Sequence, residues 1–213
     1  MAILKQPGHE AVTLQKGPCP GCGKPFTVGS LHNVCVSDDR RYRYWLEARL
    51  LGDPDEVCLF LMLNPSKAGA CRSDRTINRC KEFAEQWGYG TLWVCNLYAF
   101  RSSTQTGLRA AGYPVGPDND QHLREAVHCA DKIVLAWGSN VRRDRVSEVL
   151  QTLRDKDAEL YVLASPTSKS PLTANDEPRH PLPRNNSLPV KTTRCAQVIP
   201  AQTTRGIWRL RFL

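Results

Sequence analysis

One unbroken apolar run, Val57-Cys58-Leu59-Phe60-Leu61-Met62-Leu63, constrains this chain more than any other stretch. A run this short, with no polar residue inside it, reads as a strand buried on both faces, the kind found in parallel sheets. It stops at Asn64-Pro65-Ser66. Polar residues at the carboxyl end of such a strand stand where open α/β sheets bind their ligands. Asn64 is therefore the first candidate for chemistry. The competing reading is a plain turn, since Asn and Pro are common turn residues.

The rest of the chain repeats the alternation. A helix is expected over Asp74–Trp87, where Ile77, Cys80, Ala84 and Trp87 share a face, with Ser73 as N-cap and Gly88 as the stop. A strand follows at Thr91–Tyr98, then a loop from Arg101 to Pro117. A second helix is expected near Asp118–Asp131, a strand at Lys132–Trp137, a third helix near Val141–Lys156 and a strand at Glu159–Ala164. Ser165–Leu188 is Pro-rich and irregular, and Gly206–Leu213 alternates like a half-exposed strand. Strands alternating with helices predict an α/β domain: three layers, α/β/α, around a central, mostly parallel four-stranded sheet. The main domain is expected over residues 42–213, opening on the aromatic and basic segment Tyr42–Leu51, with residues 1–41 as a Cys-containing extension.

The formal net charge of the 213 residues is +8, which favours an anionic partner such as nucleic acid. Much of the excess falls after Ser165. There Lys169, Arg179, Arg184, Lys191, Arg194, Arg205, Arg209 and Arg211 face only Asp176 and Glu177. The basic segment reads either as a phosphate track or as a solvated face. The first ten residues lack an apolar signal region and no apolar run approaches membrane-spanning length, so a soluble, cytoplasmic monomer is expected.

Three expected strands end in small or polar motifs: Asn64-Pro65-Ser66, Asn96-Leu97-Tyr98 and Trp137-Gly138-Ser139. Parallel strands would bring these ends to one edge. His180-Pro181-Leu182 joins them if its loop folds back. Each has a plainer reading: a buried loop amide for Asn96, a core indole and turn glycine for Trp137 and Gly138, an exposed loop side chain for His180.

In order and spacing these motifs resemble the uracil-DNA glycosylase superfamily. Leu63-Asn64-Pro65-Ser66 is similar to the Ile-Asn-Pro-Gly motif of its mismatch-specific branch. Trp93-Val94-Cys95-Asn96 stands where the uracil-specific branch has Leu-Leu-Leu-Asn. Leu135-Ala136-Trp137-Gly138 and His180-Pro181-Leu182 resemble a Trp-Gly strand end and a His-Pro-Ser loop. The chain also resembles a bacterial domain family of unassigned function carrying Met-Leu-Asn-Pro-Ser, Asn-Leu-x-x-x-Arg, Ala-Trp-Gly and Pro-Arg-His-Pro-Leu, over about residues 42–185. Two departures bear on the substrate. Ser66 replaces the glycine of the first motif, which puts uracil itself in doubt. Ser168-Lys169-Ser170-Pro171-Leu172-Thr173 competes with His180-Pro181-Leu182 for the last loop.

The resemblance implies an enzyme: a hydrolase that cuts the N-glycosidic bond of a modified or unusual base in DNA, for which defence against modified foreign DNA is one setting. Asn64 would hold the attacking water and His180 would bond to the leaving base. An amide can hold water but cannot take its proton. Asn96 would read the base edge, with Pro65, Ser66, Asp74, Trp137 and Gly138 around the substrate. Asp74 also reads as a first-turn helix residue. Arg101, Lys169, Arg179 and Arg184 would contact DNA, and Leu182 or Arg184 would fill the gap left by the flipped base. The alternatives are a non-catalytic nucleic-acid-binding module and a hydrolase of free nucleosides or nucleotides.

Cys19-Pro20-Gly21-Cys22 looks like half of a zinc knuckle, and His32 and Cys35 are the nearest further ligands, giving one structural zinc. Buried reduced thiols are the alternative. Catalysis would need no cofactor. Cys71, Cys80, Cys95 and Cys129 do not fall at cluster spacing.

Overall fold

The computed structural model describes residues 31–66, 68, 73–155, 159–183, 188–190, 193–202 and 208–212. In chain order the elements are β1 (Leu31–Val36), β2 (Arg43–Arg49), β3 (Asp53–Met62), α1 (Arg75–Gln86), β4 (Tyr89–Asn96), α2 (Gln105–Ala110), α3 (Asn119–Cys129), β5 (Lys132–Leu135), α4 (Arg143–Asp155), β6 (Leu160–Ala164), β7 (Arg194–Gln202) and β8 (Trp208–Phe212). No helix among the described residues is long and apolar enough to cross a membrane.

The strands form one sheet in the order β1-β2-β4-β3-β5-β6-β7-β8. This corrects the expected glycosylase-like, mostly parallel four-stranded sheet: the sheet is mixed and has eight strands. Its middle, β4-β3-β5-β6, is parallel. On one flank β2 and β1, and on the other β7 and β8, run antiparallel. Leu31–Val36 thus belongs to the same sheet as the main domain.

β8 falls within the strand expected over Gly206–Leu213, whereas two other added strands escaped the sequence pattern for physical reasons. β2 is largely buried yet carries Arg43, Glu47 and Arg49, so its apolar signal is broken. Burial raises the Glu47 carboxyl above its usual range. It survives there on three donors: Arg49 Nε at 3.4 Å, Trp93 Nε1 at 3.1 Å and Asn33 Nδ2 at 3.3 Å. β7 contains Pro200, which argues against an interior strand from sequence alone.

Strand alternation sends side chains to two cores. Val57, Leu59, Leu61 and Leu63 join Trp93 and Cys95 under α3 and α4. Cys58, Phe60 and Met62 join Leu92 and Val94 under α1. Helices therefore cover both faces. The N-cap of α1 is Asp74, whose side chain accepts from Ile77 N–H at 2.9 Å, rather than Ser73. The expected loop 101–117 contains the short helix α2, capped by Thr104. One turn and a half of Gly- and Thr-containing chain leaves too little periodicity to be read.

Candidate functional site

The parallel register delivers three strand ends to one edge. Met62 lies beside Asn96, and Leu61 beside Leu135. Backbone bonds continue past the strands: Leu97 N–H donates to Met62 C=O and Ala136 N–H to Leu61 C=O. Beyond that edge lies a cleft of about 180 Å³. Asn64, Ser66, Asp74, Asn96, Trp137 and His180 all line it, together with Arg43. This volume is below the roughly 300–1,000 Å³ of drug-sized sites and suits a single small ring system.

Asn64 has two jobs. Its Nδ2 donates to the carbonyls of Pro65 (3.1 Å), Ser102 (3.0 Å) and Phe100 (3.4 Å). Ser102 N–H closes the same loop onto Pro65 C=O. These bonds fix which end of the amide is which. Among the described residues none donates to Asn64 Oδ1, which leaves an acceptor able to orient a water. Pro65 acts through its carbonyl, within this clamp.

Asn96 is only 1% exposed, and among the described residues neither its Nδ2 nor its Oδ1 has a hydrogen-bond partner. A buried amide is normally satisfied, because leaving it bare costs about 1–3 kcal/mol. Here a donor and an acceptor sit side by side in a cleft wall, unpartnered among the described residues.

Arg43, from β2, is 2% exposed. Its Nη1 donates to Ala68 C=O at 2.9 Å, and its Nε has no partner among the described residues. Burial pulls the guanidinium down to about 10, partly offset by the nearby Asp74 carboxylate. It stays charged at neutral pH. Sequence reasoning missed it. Its one signal was an arginine between Tyr42 and Tyr44, without the strand pairing that turns it inward.

Asp74 is both helix cap and cleft wall. One carboxylate oxygen takes the Ile77 N–H, and the Ser66 hydroxyl donates to the other. Each oxygen thus accepts one hydrogen bond, which weakens the carboxylate as a base without filling its second lone pair.

His180 is carried by the loop after β6 and held by the end of β5. Trp137 Nε1 donates to Glu177 Oε2 at 2.7 Å, and Gly138 N–H to Pro178 C=O at 3.1 Å. Gly138 has φ +78°, a conformation costly for residues with a Cβ. A Cβ there would also stand 3.5 Å from that of His180. Trp137 and Gly138 therefore position the histidine. His180 Nδ1 lies 3.1 Å from Leu182 N–H and 3.2 Å from Leu182 C=O, so it accepts from the first when the proton is on Nε2 and donates to the second when it is on Nδ1. Burial lowers its pKa below 6.5, against smaller raising effects of Leu182 and Asp74. As pH falls through 6.5 the unfolded chain takes a proton that the folded ring resists, so stability must fall. Urea melts at pH 7.5 and 5.5 check this: the native chain should lose more stability across the interval than His180→Gln, and equal losses would contradict it.

The residues expected to hold DNA are scattered. Arg101 lines a shallow hollow next to the cleft with Arg40, Arg41 and Phe100, and the two share Ser66, Ser102 and Ser103. Arg179 Nη2 bonds to Ser168 Oγ and to the carbonyls of Ser170 and Leu172, which fastens its own loop. Lys169 is exposed, Leu182 is partly buried, and Arg184 lies outside the described residues. The Ser168–Thr173 stretch, the rival for the last loop, does not line the cleft.

For the zinc ligands, Cys19 and Cys22 lie outside the described residues, and His32 is on β1. Cys35 Sγ lies 3.7 Å from His122 Nε2. Among the described residues no three metal-binding side chains gather. Burial pushes the Cys95 thiol up to about 12 and raises Cys58 and Cys80 as well, which makes them packing groups rather than nucleophiles.

Residues 43–182 match a family model described as a protein of unknown function, DUF1643. The match spans well over half of the chain, and the chain belongs to that family. No curated protein matches the chain, and no solved structure does.

Proposed function

We propose that the chain is a DNA glycosylase-like hydrolase that takes a base out of the stack and cuts its N-glycosidic bond. One observation carries the reading: the unpartnered Asn96 amide, a donor and an acceptor side by side in a cleft of one-ring size. Nucleobase edges offer the complementary pair. The motif order shared with uracil-DNA glycosylases points the same way.

The chemistry divides among neighbouring groups. Asn64 Oδ1 accepts from a water and aims it at C1′ of the sugar. His180 donates from Nε2 to the departing base. Asn64 cannot take the water's proton, and each oxygen of Asp74 already accepts one hydrogen bond, which makes that carboxylate a weak base. The bond to the base must therefore lengthen well before water adds, and stabilising the leaving base matters most.

The arginine hollow beside the cleft supports a polymeric substrate over a free nucleoside. Arg40, Arg41 and Arg101 line that hollow, and in this reading they meet the phosphates flanking a flipped nucleotide. Three phosphate contacts imply roughly a 40-fold loss of DNA affinity between about 50 and 200 mM salt. A flat response would remove the hollow from the interface.

The direct test is mass spectrometry of bases freed from DNAs carrying ordinary and modified bases. Release of at least one base, abolished by His180→Ala together with Asn64→Ala, is expected. DNA binding without release from any substrate would favour the non-catalytic binding module.

A further inference from the structure

We infer that Arg43 takes up the negative charge of the leaving base, so the substrates are bases that depart as stabilised anions. This rests on the glycosylase reading and names its substrate class.

Two buried polar groups in the cleft are unsatisfied together. Arg43 has a bare Nε, and no carboxylate among the described residues forms an ion pair with it, Asp74 acting on it only from further off. Asn96, from the strand beside β2, has a bare amide. A buried cation without an ion pair is costly and rare unless something anionic arrives to meet it. No other group lining the cleft brings a positive charge, and His180 adds only a neutral N–H. Asp74 is itself an anion, Ser66 donates to it, and His180 is held neutral by burial.

The step balances without a further reagent. The C1′–N bond breaks and its electron pair stays on the base nitrogen. Water oxygen bonds to C1′, and the proton that water loses neutralises the base after departure. Charge on the base peaks between these events, and a fixed guanidinium in a dry wall meets it with little reorganisation. A base that is already cationic, such as an N-alkylated purine, leaves as a neutral molecule. It gains nothing from Arg43 and is repelled by it in the ground state.

The test separates charge recognition from catalysis. Uracil and 5-nitrouracil are titrated by calorimetry into the full chain at pH 8, where uracil is neutral and 5-nitrouracil is an anion. Charge-assisted bonding predicts roughly 10–100-fold tighter binding of the anion. Arg43→Lys should keep most of that preference, and Arg43→Gln should abolish it while still binding uracil. No detectable binding of the anion, or an unchanged preference in Arg43→Gln, overturns the inference. Base release is measured alongside. Arg43-dependent anion binding with no release from any DNA overturns the glycosylase reading and leaves the anion site standing. Release that Arg43→Gln does not slow overturns the anion site alone.

Discussion

Asn96→Leu is expected to melt higher than the native chain and to release no base. In the native chain the Asn96 amide is buried with both polar atoms bare. Leucine has a similar volume and nothing to satisfy. The gain is about 1–3 kcal/mol, and for a chain of this length each kcal/mol moves the midpoint by about 2–4 °C. Calorimetry should show a rise of several degrees. Opposite signs for stability and function are the mark of a residue kept for a ligand. A midpoint that falls would mean that the amide supports the fold, as a loop-satisfying asparagine would.

Asn64 should behave in the opposite way, losing both. Asn64→Ala removes the donor shared by the Pro65, Phe100 and Ser102 carbonyls and also the acceptor proposed to hold water. Stability should fall by about 1–3 kcal/mol. Base release should fall by at least about 100-fold, the usual scale for a group that directs a reacting water. Asn64→Asp separates the two roles. A carboxylate keeps an acceptor but cannot donate to three carbonyls, so this variant should also melt lower than the native chain. If Asn64→Asp melts like the native chain, the clamp is not what holds the loop. The clamp also explains why an amide stands where a carboxylate would be the better base.

The middle of the sheet was legible because buried parallel strands leave plain apolar runs. Val57–Leu63, Thr91–Tyr98, Lys132–Trp137 and Glu159–Ala164 overlap β3, β4, β5 and β6. Their parallel pairing brings Asn64, Asn96 and Trp137 to one edge, and the loop bonds of Trp137 and Gly138 bring His180 there. On the flanks only β8 was legible, from the alternation of Gly206–Leu213. β2 hides its strand character behind Arg43, Glu47 and Arg49, whose burial depends on partners far away in the chain. Arg43 was lost with it, because a buried arginine looks like any other until its strand is paired. Arg179 shows the converse. Its charge suggested DNA, yet its Nη2 is bonded to three oxygens of its own loop, which ties the side chain to that loop.

The central claim is that this cleft takes a base edge against Asn96. The most direct measurement is the side-chain amide spectrum of the 15N-labelled chain during titration with free nucleobases, the Asn96 resonances being those absent from Asn96→Leu. The expected result is a saturable shift of those resonances, in step with groups from Arg43 and the His180 loop. A base that binds while the Asn96 resonances stay in place would contradict the claim, as would an Asn96 amide that no nucleobase perturbs.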